Sequence, residues 1–130
     1  SLKLFDDKKN IRTVSFIKDM NSFYSATDII ISRSGALALS EMAFLGKAMI
    51  LIPFPHSAGN HQYSNAKAIE KTGGAILIKQ SQLKLKYLEN SIFELIKDPN
   101  KINKMEKKVK KFGFNNATEN ITNIIIKMVQ

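Results

Sequence analysis

The chain has 130 residues, of which 44% are hydrophobic, so it is long enough for one domain with a buried core and too apolar for a disordered protein. It contains no cysteine, which excludes a disulfide scaffold and a cysteine-ligated metal site. The formal net charge of +9 admits nucleic acid, an anionic membrane or a phosphorylated ligand as partners, although a solvated lysine face is the simplest explanation.

Short apolar runs alternate with helical sequences in the first half of the chain. Residues 11–17 are predicted as a strand and 19–26 as a short helix. The β-branched run 28–32 is typical of a strand buried on both faces. Residues 36–45 are predicted as the next helix, which Gly46 ends.

The same alternation continues through the second half. Residues 48–52 and 75–78 are predicted as buried strands, with a helix over 60–71 between them. Leucine and isoleucine at helical spacing predict an amphipathic helix over 84–97, which Asp98-Pro99 ends.

Two further helices are predicted at the end of the chain, over 101–111 and 117–129, the second capped by Asn116 or Thr118. The complete order indicates an α/β protein, a Rossmann-like parallel sheet with flanking helices. Ligands of such sheets lie beyond the carboxyl ends of the strands, so the turns after Ile31, Ile52 and Ile78 are the places to search.

The turn Ser32-Arg33-Ser34-Gly35-Ala36 follows a predicted strand and opens a helix. A helix N-terminus presents unpaired N–H groups and a partial positive charge, and glycine lets a phosphate approach the backbone. Ser34 can cap the helix or donate to a phosphate oxygen. On these five residues alone, a plain strand-to-helix turn remains the competing interpretation.

Two more constellations lie near the same edge of the predicted sheet. Glu41 carries two acceptor oxygens that suit paired ribose hydroxyls, the alternative being an exposed helical glutamate. The segments 53–56 and 60–65 offer neutral His, Gln and Asn groups suited to sugar hydroxyls, the alternative being loop and capping residues. His56 and His61 have no carboxylates at metal-ligand spacing, so neither a metal nor another cofactor is expected.

Taken together and in order, these segments resemble the C-terminal domain of the MurG family of UDP-N-acetylglucosamine transferases. The resemblance runs from about Val14 to the C-terminus and rests on 32–41, 46–53, His56, His61-Gln62 and Asn65-Ala66. It implies the C-terminal half of a GT-B fold of the family 28 type, lacking its first strands. Residues 1–130 would then form a single nucleotide-sugar-binding domain that is partial at its N-terminus.

The resemblance also implies donor-site residues. The backbone of Ile17 would hold the uracil, Glu41 the ribose hydroxyls, and Gln62 the N-acetylglucosamine, with Asn65 as a neighbour. Position 38 is alanine where the family often has threonine, so a hydroxyl contact is lost there. The segment that would receive the diphosphate and ribose comprises Ser34, Gly35, Ala36, Leu37, Ala38, Leu39, Ser40 and Glu41. No catalytic residue and no metal ligand is implied within this fragment.

The activity implied is inverting transfer of N-acetylglucosamine from UDP to a lipid-linked N-acetylmuramoyl-pentapeptide in peptidoglycan synthesis. The acceptor would be bound by an N-terminal domain, so the fragment alone is expected to be inactive. The protein would act peripherally at the cytoplasmic face of the cell membrane, with an anionic membrane surface left open as a partner.

Three alternatives remain at this stage. One is a related glycolipid glycosyltransferase with another acceptor. Another is the donor-binding subunit of a split glycosyltransferase that needs a membrane-anchored partner. The third, a nucleic-acid-binding module using the lysines of 101–111, is disfavoured because no aromatic residues are interleaved with them, and no nucleic-acid partner is expected.

Overall fold

Residues 9–129 are described by the structure, a computed structural model, and they contain a three-stranded parallel sheet. The strands are β1 (Ile29–Ser32), β2 (Ala48–Leu51) and β3 (Ala75–Leu77), and they lie side by side in chain order. Ile50 in the middle of β2 pairs with Ile31 on one side and Ile76 on the other. The predicted strands 28–32, 48–52 and 75–78 are thereby confirmed.

In the described part of the chain, five helices flank this sheet: α1 (Met20–Ser25), α2 (Ala36–Phe44), α3 (His61–Thr72), α4 (Leu85–Lys97) and α5 (Pro99–Val129). The helices α2 and α3 connect successive strands, as parallel pairing requires. Gly46 and Gly73 follow these two helices with φ angles of 70° and 81°, the left-handed conformation in which glycine ends a helix without steric cost. Single 3₁₀ turns occupy Ala58–Asn60 and Gln80–Gln82.

The central strand β2 is buried along its whole length and separates two hydrophobic clusters. Met49 and Leu51 pack on one face with residues of α1, α2, α3 and α5. Ala48 and Ile50 pack on the other face with residues of α4 and the first turns of α5. Burial of Met49, Ile50 and Leu51 contributes roughly 1.5–3 kcal/mol for each side chain, so β2 contributes strongly to the stability of the fold.

Two strand predictions were wrong in part or in full. Residues 11–17 form no strand, because no neighbouring strand pairs with them among residues 9–129, and Phe16 is 78% exposed. The strand β1 is real but is not buried on both faces, because it lies at the edge of the described sheet and leaves Ile31 45% exposed.

The two predicted C-terminal helices are one continuous helix, so caps at Asn116 and Thr118 were wrong. Its 31 residues give α5 a length of about 46 Å. Gly113 does not break it. A Cβ atom on Gly113 would lie 2.6 Å from the carbonyl carbon of Ala43, so this glycine permits α5 to pack closely against α2.

Candidate functional site

The turn between β1 and α2 exposes a helix N-terminus at the carboxyl end of the sheet. Gly35 is the N-cap residue, with φ −62° and ψ 141°, and it has no side chain with which to satisfy the first N–H groups of α2. A Cβ built on Gly35 would meet no atom within 4 Å. The turn therefore offers open space, unpaired donors and the positive end of a helix dipole, which together suit an anion.

Ser34 connects this turn to the start of α3. It is completely buried, and its hydroxyl donates a 2.6 Å hydrogen bond to the backbone oxygen of Gln62. The Asn65 side-chain amide donates to the backbone oxygen of Ser34 over 3.3 Å. Capping of α2 was one of the two roles considered for Ser34, and it was wrong, because Gly35 holds the cap position and the Ser34 hydroxyl donates to Gln62.

Arg33 connects the same turn to the segment after β2. Its Nη1 donates to the carbonyl oxygens of Ile52 at 3.2 Å and Pro53 at 3.4 Å. Its guanidinium carbon lies 5.7 Å from the centre of the Phe54 ring. The sequence alone does not indicate this role for Arg33, since its acceptors are backbone oxygens 19 and 20 residues away.

The side chain of Gln62 is held by the loop that precedes α3. Its Oε1 accepts a 2.9 Å hydrogen bond from the backbone N–H of Phe54. Its backbone N–H donates to the Ser57 hydroxyl over 3.3 Å. The predicted sugar-binding glutamine is therefore fixed in position at the start of α3.

A cavity of about 520 Å³ lies between α2, α3 and α5. The predicted residues that line it are Ala36, Leu39, Ser40, Glu41 and Asn65. Ser34 and Gln62 are joined to this group by the hydrogen bonds above. Ile17, Leu37 and Ala38 do not line the cavity; Ile17 lies in the irregular segment before α1, and Leu37 is 77% exposed.

Tyr24 lies beside Glu41 and was not identified from the sequence. It is only 5% exposed, and this burial raises the pKa of its hydroxyl, which the negative charge of Glu41 raises further. Burial disfavours the phenolate, and a nearby carboxylate repels it. Tyr24 therefore carries a neutral hydroxyl close to the carboxylate predicted to bind ribose.

His56 lies in the loop before α3, and His61 is the first residue of that helix. The ring of His56 packs edge-on against Phe54, with 5.6 Å between the ring centres. Within residues 9–129, no three His, Cys, Asp or Glu side chains are grouped closely enough to hold a metal ion.

Residues 1–121 match the family described as the glycosyltransferase family 28 C-terminal domain. The UDP-N-acetylglucosamine–N-acetylmuramyl-(pentapeptide) pyrophosphoryl-undecaprenol N-acetylglucosamine transferase of Flavobacterium psychrophilum is 44% identical over 129 residues, 98% of this chain and 35% of the relative. The transferase of the same name from Caldicellulosiruptor saccharolyticus is 42% identical over 117 residues, 90% of this chain and 32% of the relative.

The crystal structure of Acinetobacter baumannii MurG is similar to this chain, with a TM-score of 0.76 and 33% identity over 89% of this chain and 35% of that structure. This similarity confirms the predicted Rossmann-like sheet as part of the C-terminal half of a GT-B fold. The chain spans about a third of the length of the relatives it matches.

Proposed function

The chain belongs to glycosyltransferase family 28 as its C-terminal domain, and we propose that it is the donor-binding domain of a UDP-N-acetylglucosamine transferase. The acceptor would be a lipid-linked N-acetylmuramoyl-pentapeptide, as the names of the relatives state for those proteins. The reaction would be part of peptidoglycan synthesis. Residues 1–130 would act as one domain and would depend on further parts of the protein to complete the acceptor site and to supply the general base.

The observation that carries this proposal is the open N-terminus of α2. The donor diphosphate would lie against the first N–H groups of the helix, where Gly35 leaves space for its oxygens. As the bond to the sugar breaks, negative charge accumulates on the diphosphate. Donors already oriented by the helix stabilise that charge without further reorganisation, which lowers the barrier to transfer.

The remaining donor contacts follow from the same placement. Glu41 is five residues into α2, about 7.5 Å along the helix axis from Ala36, and its exposed carboxylate would accept hydrogen bonds from the ribose hydroxyls. Gln62 and Asn65, at the start of α3, would contact the sugar. The backbone of Ile17 would hold the uracil.

Inversion follows from direct displacement at the anomeric carbon. A hydroxyl of the muramyl sugar would attack the face opposite the diphosphate, the glycosidic bond would form as the bond to UDP breaks, and the hydroxyl proton would leave to a base outside this chain. The domain described here would therefore bind and orient the donor and stabilise the leaving group. Alone, it would bind the donor without transferring the sugar.

Titration calorimetry with UDP, UDP-N-acetylglucosamine and UDP-glucose tests this proposal. We expect the folded chain to bind UDP and to prefer N-acetylglucosamine over glucose on the nucleotide. Glu41→Ala should weaken UDP binding by about tenfold, the effect of one charge-assisted hydrogen bond. The control is Glu89→Ala, which removes an exposed glutamate from α4. A folded chain that binds none of the three ligands would contradict the proposal.

We further propose that the protein acts peripherally at the cytoplasmic face of the membrane, with anionic lipid as a partner. The support is the net charge of +9 together with exposed lysines on α5, among them Lys104, Lys107 and Lys111. Ammonium groups are attracted to anionic headgroups at short range. Within residues 9–129, no helix combines the length and hydrophobicity of a membrane span.

Sedimentation with lipid vesicles tests the membrane proposal. Binding should require phosphatidylglycerol in phosphatidylcholine vesicles and should fall as salt is added. The triple variant Lys104→Gln, Lys107→Gln, Lys111→Gln should bind less, whereas Lys84→Gln, Lys86→Gln should not. Equal binding to neutral vesicles would overturn an electrostatic attachment.

A further inference from the structure

A second cavity, of about 530 Å³, lies beyond the carboxyl ends of β2 and β3. It is lined by Pro53 and Pro55 after β2, by Asn60 and Tyr63 at the start of α3, and by Lys79, Gln80 and Ser81 after β3. We call it the Lys79 pocket. It shares no lining residue with the cavity between α2, α3 and α5, so the two are separate, although Asn60 belongs to a segment predicted to suit sugar hydroxyls.

The chemistry of the Lys79 pocket favours an anionic ligand. The ammonium of Lys79 lies 5.1 Å from the centre of the Tyr63 ring, and Lys79 makes no ion pair with any carboxylate in residues 9–129. Among the residues that the structure describes, no acidic side chain lines the cavity. The amides of Asn60 and Gln80 add hydrogen-bond donors, and the Tyr63 ring with two prolines adds an apolar surface.

The position of the Lys79 pocket relative to the proposed donor site indicates which ligand it would contact. Three features follow one another at the edge where the strands end. The α2 N-terminus lies after β1, and Gln62 lies at the start of α3. The Lys79 pocket lies after β2 and β3. If the diphosphate lies at α2 and the donor sugar at Gln62, the next position along the edge is beyond the sugar. Tyr63 is adjacent to Gln62 in the chain. An acceptor must approach the sugar end of the donor.

We propose that the Lys79 pocket binds an anionic group of the acceptor, a carboxylate or a phosphate, and so helps to position the acceptor beside the donor sugar. This inference rests on the proposed function. Two parts of the acceptor named for the relatives carry such groups, the pentapeptide and the pyrophosphoryl-undecaprenol. Lys79 would attract the anion, and the Tyr63 ring would pack against the ligand's apolar surface while it holds the Lys79 ammonium in place.

Nuclear magnetic resonance of the isotope-labelled full chain tests the pocket directly. The chain is first saturated with UDP, so that phosphate-bearing probes cannot occupy the α2 site. It is then titrated with N-acetylmuramoyl-pentapeptide, which carries carboxylates and no phosphate, and separately with geranyl diphosphate, which carries phosphate and no carboxylate. We expect one of them to shift the amide signals of Tyr63, Gln80 and Ser81, and the probe that does so identifies the anion.

Substitutions of Lys79 test whether its positive charge is what binds the probe. Lys79→Met should weaken the effective probe by about tenfold or more while UDP affinity is unchanged. Lys79→Arg should retain binding, and Lys86→Met, an exposed lysine of α4, serves as the control. The proposal is overturned if neither probe shifts these signals or if Lys79→Met binds equally well. If UDP does not bind, the proposed donor role is contradicted. The same probe titrations can then be made without UDP, and they still test the Lys79 pocket.

Discussion

The hydroxyl of Ser34 donates a 2.6 Å hydrogen bond to the backbone oxygen of Gln62, 28 residues further along the chain. The first residue belongs to the turn proposed to bind the diphosphate, and the second to the helix proposed to bind the sugar. Asn65 adds a 3.3 Å hydrogen bond to the backbone oxygen of Ser34. The two halves of the donor site are thus held in a fixed relation by groups that are themselves buried or half-buried.

Ser34→Ala should destabilise the domain, because it removes a buried donor whose acceptor stays in place. We expect the free energy of unfolding to fall by about 1–2 kcal/mol, the cost of a lost buried hydrogen bond. Urea denaturation followed by circular dichroism measures it. Ser40→Ala is the control, since its exposed hydroxyl bonds only to Ala36 within α2. Equal stability of the two variants would contradict a structural role for Ser34.

Gly113→Ala should destabilise the protein although alanine favours helices. Helix propensity alone predicts a gain of about 1 kcal/mol. The new methyl group, however, would lie 2.6–2.7 Å from backbone atoms of Ala43 and Phe44, which cannot move aside as a flexible side chain can. We expect a net loss of about 1–3 kcal/mol from overpacking. Asn115→Ala, exposed on the same helix, should be neutral or stabilising. A stabilised Gly113→Ala would mean that α5 does not pack against α2.

Gly35→Ala should lower the affinity for UDP while it changes the stability of the domain only slightly. A Cβ at Gly35 would meet no atom of residues 9–129 within 4 Å, so stability should fall by no more than about 0.5–1 kcal/mol, the difference between glycine and alanine as N-cap residues. The methyl group would stand where a phosphate is proposed to approach, so UDP affinity should fall by about tenfold, as expected when one charge-assisted hydrogen bond is lost. Calorimetric titration with UDP, alongside urea denaturation, measures both. Unchanged UDP affinity would exclude phosphate contact at this residue.

Local signals were sufficient for most of the fold. The strands β1, β2 and β3 and the glycines that end α2 and α3 depend on residues next to them in the sequence. They could therefore be predicted from the sequence alone. The continuous helix α5 could not, because the role of Gly113 depends on Ala43, 70 residues earlier. A strand over 11–17 failed for the same reason, since pairing depends on a distant neighbour.

In the candidate site too, some features could be predicted from consecutive residues and others could not. The turn at Gly35 and the start of α3 could be predicted because a helix N-terminus after a strand is visible in consecutive residues. Arg33 and Tyr24 could not be assigned roles, because their partners are the carbonyl oxygens of the β2 segment and a carboxylate of another helix. The turn after Ile78 was a predicted search position, but its Lys79–Tyr63 contact required the structure.

Tyr24 should make the stability of the domain sensitive to alkaline pH. Burial, and secondarily the charge of Glu41, raises its pKa in the folded state above the ordinary value of about 10. The unfolded chain therefore loses this proton first, so the stabilising contribution is complete below pH 10 and is lost as pH rises through the folded pKa. Tyr24→Phe should remove that loss, and Glu41→Gln should move the Tyr24 pKa back towards its ordinary value. Absorbance titration of tyrosinate, with Tyr24→Phe subtracted to remove Tyr63 and Tyr87, measures the shift. An unchanged Tyr24 titration in Glu41→Gln would show that the Glu41 carboxylate does not act on this hydroxyl.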